Sequence, residues 1–428
     1  MTFFAIYGFA AAGQANRVVV STLPNGVRVL IQEAHDQPLV AIDLWVRAGS
    51  MYEQPGEGAA AHLLEHLLFR GAGKRAKAGE TDYAIESVGG LLNAGTQRDL
   101  AHLYCTVPAR NLSGALNAMA EALREPILRD EDFAIEKRVV LHEIARRKNR
   151  WMDLATDALF NRLYEGHPLA RPMAGTVPTV GESSATAVQK FHKRQYQPGN
   201  VTAVIVGDID GEEAAKAVQA ALGDWKTDAQ ELPKIPSPAA VVREVSAEIP
   251  WPAPEAAVIA GVRIPPYADA KKAARAEVFA IALGDPDIGL LSQKLSTFKA
   301  TGTPWGSVTT SNVGGILAVG IAGKSNDLAT IRRAFDETLA DLKRVPFKQG
   351  LLEAAKRRVR GRSQFAKETV EGRARQIGEA EMRGGYLKHA EILVEVDRLT
   401  VEEMMDFARK GFGSDNRVQL VCKPEGGK

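Results

Sequence analysis

The segment GEGAAAHLLEHLLFRG, residues 56–71, sets two histidines four residues apart around a glutamate in an otherwise apolar run. Ala59, Ala60, Ala61, Leu63, Leu64, Leu67 and Leu68 are good helix formers and Gly71 supplies a stop, so the spacing predicts a helix. On that helix His62 and His66 lie one turn apart and project the same way, and Glu65, three residues from His62, shares their side. Two imidazoles at i and i+4 suit two corners of a tetrahedral zinc site. A lone histidine on an apolar helix is ordinarily a satisfied core residue. Two at ligand spacing with a carboxylate between them are harder to assign to a core.

A third ligand has to come from elsewhere, as a carboxylate or an imidazole. The best candidate is the stretch LRDEDFAIEKRVVLHEIARRKNR, a second helix expected to be capped by Asp130 with acids in its first turn. Val139, Val140 and Ile144 alternate with charges at helical spacing. Glu136 and Glu143 are seven apart and so only about 20° from eclipsed on one face. Two acids on one face normally mean solvent exposure, but the missing ligand changes that weighing. His142, one helical step from Glu143, is turned about 100° away and is read as a flank.

Composition narrows the function classes. The chain has 428 residues, 45% hydrophobic and 25% charged, ordinary for a globular protein of two or more domains. A net charge of +2 and the lack of a basic run argue against nucleic-acid binding. Cys105 and Cys422 are the only cysteines, far apart, so they form neither a disulfide scaffold nor a zinc knuckle. No segment reaches 18 uninterrupted apolar residues, so no membrane span is expected. The start, MTFFAIYGFAAAGQA, has an apolar run and small residues around Gly13-Gln14-Ala15, but no Lys or Arg precedes it. Residues 1–17 therefore stand as either a leader or an extension, and a periplasmic and a cytoplasmic location both stay open.

The chain divides near its middle. KTDAQELPKIPSPAAV, residues 226–241, carries three prolines and little apolar periodicity, and reads as a linker. On either side the order of signals repeats. A helix ending in Pro (115–126 and 334–346) precedes a basic helix (EKRVVLHE and AKRRVRGR), and a strand after an Asn-containing turn closes each half. We read two homologous domains, 18–225 and 242–428. VRVLIQE (27–33) and VAIDLWVRAG (40–49) are consecutive alternating strands, and 91–107 reads as a hairpin with Gly95 or Asp99 near its bend. Helices follow from about 112 to 195. Segregated strands and helices mean α+β, each domain a mostly antiparallel sheet packed with helices.

His62-x-x-Glu65-His66, followed after 76 intervening residues by Glu143, resembles the inverse-zincin motif of the pitrilysin family of metallopeptidases. The flanks LPNGVRVLI, LWVRAGSMYEQPGEGAAAHLLEHLLFRG, GGLLNAGTQRD, GHPLARPMAGT and QPGNVTAVIVGDID resemble segments of the same family over roughly residues 18 to 425. The length is similar to the short subfamily of mitochondrial processing-peptidase type, whose subunits pair to enclose a chamber. The resemblance implies a zinc endopeptidase acting on peptides. His62, His66 and Glu143 would hold Zn2+, Glu65 would be the base that takes a proton from the attacking water, and Glu136 would have an outer-sphere role. Asn93-Ala94 matches the family's Asn-Ala on the strand beside the metal, where substrate would add as an extra strand. An Asn at a strand bend accounts for the same pair from composition alone. His167 follows the family pattern in a structural place. His35, His102, His192 and His389 have no partner spacing.

The second half has no HxxEH, and the position matching Glu143 is Arg362. In active relatives that half contributes an arginine and a tyrosine that hold substrate and stabilise the oxyanion. Here GLLSQKLSTFKATGTPWGSVTTS (289–311) places Lys294 near the family's first arginine, Lys299 near the catalytic one and Trp305 near the tyrosine. Trp has no hydroxyl and Lys lacks the planar fork of Arg. The expectation is a heterodimer in which a homologous subunit carries the Arg/Tyr pair, with a homodimer as rival. A non-catalytic scaffold subunit of a larger complex is the alternative function.

Overall fold

The computed structural model of the chain describes residues 17–227, 231–239, 245–412 and 417–424. All but one residue of the expected N-terminal extension lie outside the described residues, as do parts of the linker.

Strands β1 (Val18–Thr22), β2 (Arg28–Glu33), β3 (Leu39–Val46), β4 (Leu91–Thr96), β5 (Ala101–Pro108) and β6 (Val201–Gly207) build a sheet in the order β1-β2-β6-β3-β5-β4. In the second half β7 (Val245–Trp251), β8 (Ala256–Ile264), β9 (Thr303–Thr310), β10 (Gly315–Gly323) and β11 (Arg417–Pro424) follow the order β7-β11-β8-β10-β9. Each sheet is antiparallel except for one parallel pair, β2–β6 and β7–β11. The consecutive strands β2 and β3 are therefore not neighbours, because β6 lies between them. The reason is in VTAVIVG: every residue of β6 is buried, which suits a strand covered on both faces.

Helices α1 (Ala60–Leu67), α2 (Glu80–Glu86), α3 (Leu112–Arg124), α4 (Asp130–Arg146), α5 (Trp151–Leu163), α6 (Val177–Glu182), α7 (Ala185–Gln195) and α8 (Gly211–Leu222) belong to the first half. The second half has α9 (Ala270–Gly284), α10 (Leu290–Thr297), α11 (Leu328–Asp341), α12 (Gln349–Ala366), α13 (Val370–Met382), α14 (Lys388–Arg398) and α15 (Val401–Gly411). The α+β reading holds for both halves. One local expectation needs correcting: Asp130 does not cap α4. It is the first helical residue, and Arg129 occupies the cap without a side-chain bond. Asp130, Glu131 and Asp132 all fall in the first turn, where they complement the helix dipole.

The halves exchange helices. One face of the first sheet packs on α1 and α3, while Leu30, Ala41, Trp45, Val204 and Val206 on its other face pack against Val370, Ala374 and Met382 of α13. In return α5 covers β8 and β10 of the second sheet, with Leu159 and Leu163 against Gly261. Contact is close. A Cβ at Gly378 would lie 2.0 Å from Trp45 Nε1, so only glycine lets α13 sit on the sheet. Tyr164 Oη donates to the Gly315 carbonyl at 2.7 Å, and Arg383 at the end of α13 forms a buried ion pair with Asp99. Asp99 sits in the turn between β4 and β5, and its Oδ2 also accepts from the Asn312 N–H at 3.1 Å, in the β9–β10 turn. The hairpins that end in the edge strands β4 and β9 are thus tied to one arginine.

Candidate active site

Helix α1 buries Ala60, Ala61, Leu63, Leu64 and Leu67 and leaves His62, Glu65 and His66 on its less buried side. Helix α4 packs against α1 and brings Glu143 to the same place. His62 Nε2 and His66 Nε2 are 3.3 Å apart, and Glu143 Oε2 lies 3.4 Å from the first and 3.6 Å from the second. Tetrahedral zinc with ligands at roughly 2.0–2.1 Å needs neighbouring donors about 3.3 Å apart. The three donor atoms therefore stand at the corners a zinc ion requires. Among the described residues no other three His, Cys, Asp or Glu side chains form such a group.

The charges respond to this crowding. Burial acts to lower the proton affinity of His62, but the Glu143 hydrogen bond and the charges of Glu65 and Glu143 outweigh it and leave it raised. The hydrogen bond from His62 holds the Glu143 carboxyl below the ordinary carboxylate range, with the nearby charges of His66 and Arg146 adding to it.

Glu136, two turns before Glu143, lies behind the group. Its Oε2 accepts from His66 Nδ1 at 2.9 Å, and its Oε1 accepts from Arg70 Nε at 2.5 Å. A carboxylate on the far nitrogen of a ligating histidine fixes the tautomer that frees Nε2 for a metal. His62 Nδ1 is buried without a hydrogen bond of regular geometry, although the Ala174 backbone favours its proton. His142 is exposed and outside the group.

Glu65 lines a narrow cleft with Ala94 and Gly95 of β4, Leu68 and Tyr196. Burial and the Glu65 charge both raise the Tyr196 phenol's pKa, so its hydroxyl stays protonated beside that carboxylate. Among the described residues, strand β4 pairs only with β5 and is an edge of its sheet. Asn93 is exposed there, and its Oδ1 accepts from the Ala94 N–H at 2.8 Å.

In the second half α9 and α12 pack together as α1 and α4 do, but with a carboxylate and a cation. Burial pushes the Glu277 carboxyl up to about 7, and the Arg362 charge partly offsets this. Lys294 is bound to Asp341 at 2.8 Å. Lys299 lies two residues beyond α10 with φ 54°, and Trp305 packs edge-on against Trp151, ring centroids 5.6 Å apart.

The other histidines are accounted for locally. His167 accepts from the Leu169 N–H and donates to the Pro236 carbonyl, His192 donates to the Leu123 carbonyl, and His389 bonds Ser363. His35 meets Asp208 at the surface, and His102 meets buried Asp43 while stacked between Trp45 and Tyr104. Sequence reasoning missed Arg70. Its position four residues after His66 was the available signal, although α1 ends at Leu67 and Arg70 lies just beyond it.

Residues 28–177 match the family model described as insulinase (peptidase family M16), and residues 183–359 match the peptidase M16 inactive domain. An uncharacterized zinc protease of Streptomyces coelicolor is 30% identical over 201 residues, which is 47% of this chain and 44% of that protein. The match thus spans about half the length of such curated relatives. An uncharacterized zinc protease of Rickettsia bellii is 28% identical over 413 residues, 94% of this chain and 97% of that one. Among solved structures, a protease from Helicobacter pylori superposes with a TM-score of 0.87 at 20% identity, covering 96% of this chain and all of that one. At that identity the likeness establishes the fold.

Proposed function

This chain belongs to the pitrilysin family, peptidase family M16, and we propose that it is the zinc-bearing subunit of an endopeptidase that hydrolyses peptides or unfolded segments. The observation that carries this reading is the spacing of 3.3, 3.4 and 3.6 Å among His62 Nε2, His66 Nε2 and Glu143 Oε2.

When bound, zinc polarises a peptide carbonyl and lowers the pKa of water to about 7. His62, His66 and Glu143 hold the ion, and Glu136, itself held by Arg70, keeps the His66 ring in place. Glu65 shares a helix side with both imidazoles and borders the cleft beside β4, where it receives the proton of the attacking water. An extended substrate adds to the free edge of β4 through backbone hydrogen bonds, which makes recognition tolerant of sequence. Pairing at Ala94 requires Asn93 Oδ1 to release that N–H.

The oxyanion donors are supplied by a homologous partner subunit carrying an Arg/Tyr pair. Supporting this, Trp305, near the position of the family's tyrosine, is engaged with Trp151 inside the chain itself. This reading keeps domain limits of 18–225 and 242–428. The test is Glu65→Gln, which preserves shape and removes the proton acceptor. Zinc content by atomic absorption should be unchanged and peptidase activity of the assembled enzyme abolished. Loss of zinc or near-normal turnover overturns the assignment.

A further inference from the structure

Helix α1 begins without a capping side chain of its own. It follows Ala59, whose φ of 63° puts a non-glycine residue in the left-handed region. The amides of its first turn are satisfied from upstream instead. Glu53 Oε2 accepts from the Ala59 N–H at 3.2 Å and Oε1 from the Ala61 N–H at 3.1 Å, while the Glu57 carbonyl takes the Ala60 N–H at 2.9 Å. Ala61 immediately precedes His62.

Glu53 is 7% exposed, so its carboxylate faces the helix and not solvent. The segment that delivers it is itself fastened. Arg171 binds the Glu53 carbonyl, and Arg194 forms a buried bidentate pair with Glu57 and also donates to the Tyr52 carbonyl at 3.2 Å. A buried carboxylate is costly unless hydrogen-bonded. Here its two oxygens meet two otherwise unpaired backbone donors at the start of a helix.

The two histidines are held by different devices. His66 is fixed at its far nitrogen by Glu136. His62 has no such bond of regular geometry at Nδ1 and lies in the first turn, so its direction depends on the helix start. We propose that Glu53 is a positioning residue for the metal centre: by capping α1 across the intervening loop it fixes the first turn and the direction in which His62 presents Nε2. The inference rests on the zinc reading of His62, His66 and Glu143.

The experiment uses the full chain, Glu53→Ala, Glu53→Asp and Glu53→Gln, with zinc alone as the probe. Two quantities are read: zinc affinity by chelator competition, and amide hydrogen exchange across residues 59–63 in metal-free protein. In Glu53→Ala these amides should exchange at least ~10-fold faster while zinc binding weakens ~10- to 100-fold, the range for lost outer supports. Glu53→Gln keeps one of the two acceptor oxygens and should recover part of both. If the alanine variant does not fold, Glu53→Asp, one methylene short of reach, should show the same pattern less strongly. Zinc affinity within twofold of the unaltered chain, in an alanine or aspartate variant with faster exchange, overturns the proposal. An unaltered chain that binds no zinc instead sinks the metal site itself, and this inference with it.

Discussion

Glu136 accepts from His66 Nδ1 at 2.9 Å, so the carboxylate two turns before Glu143 bears on the metal group from behind. The two acids share a helix face but, on the proposed zinc reading, differ in duty. Removing Glu143 deletes a donor atom, whereas removing Glu136 only loosens an imidazole. We expect Glu143→Ala to lose zinc almost completely, Glu136→Ala to bind it ~10- to 100-fold more weakly, and His142→Ala to bind it normally. Metal content of the three variants decides this. Zinc lost in His142→Ala and kept in Glu143→Ala would show the helix to be misassigned by one residue.

The purified chain alone should bind zinc yet show little peptidase activity. A missing oxyanion donor costs about 10² to 10³ in rate, and Lys299 and Trp305 replace the family pair poorly. Mixing in a homologous subunit that carries Arg and Tyr should restore turnover. Robust activity of the lone chain, abolished by Lys299→Ala with Trp305→Ala, would favour the homodimer instead.

Burial pushes the Glu53 carboxyl from 4.5 up to about 7, against the Ala61 and Ala59 bonds and the Arg171 charge, with Glu57 (itself paired to Arg194) adding to the rise. Between those two values the folded chain keeps a proton that the unfolded chain has lost. Stability therefore falls as pH rises through this window. Glu53→Gln cannot ionise and escapes that loss. Urea denaturation of metal-free protein should show the Gln variant gaining on the parent from pH 5 to pH 8. An offset that is the same at both values would refute the shift.

Arg383 and Asp99 are 5% and 0% exposed and belong to different halves. Breaking the pair leaves Arg383 buried with the partly exposed Glu379 as counter-charge, so Asp99→Ala should cost about 3 kcal/mol, the low end for a broken buried pair. Gly378→Ala should also destabilise, by about 1–3 kcal/mol or more, because its methyl would enter the Trp45 ring. Denaturation midpoints measure both. A change below about 1 kcal/mol in each would mean that the halves do not depend on this contact.

The features carried by short periodicities were legible in the sequence: the α1 helix with its two imidazoles, the pair of acids on α4, and the 91–107 hairpin, whose bend falls at Asp99 while Gly95 stays in β4. Neighbour relations across long separations were not. Alternation marks β2 and β3 as strands but does not reveal that β6, some 170 residues later, parts them. Glu53 looks like an ordinary loop acid, since its partners are backbone amides that carry no sequence signal. The same holds for α5 and α13: nothing local states which sheet each covers.

The helix exchange has a consequence for synthesis on the ribosome. Once β6 has emerged, the face bearing Leu30, Ala41, Trp45, Val204 and Val206 is complete, but α13 follows roughly 160 residues later. At about 5–20 residues per second that is on the order of 10 to 30 seconds with an apolar sheet face bare to the cytosol. A nascent chain stalled near residue 250, with β6 clear of the ribosomal exit tunnel, should therefore recruit chaperones or aggregate, and release of the full chain should end that vulnerability.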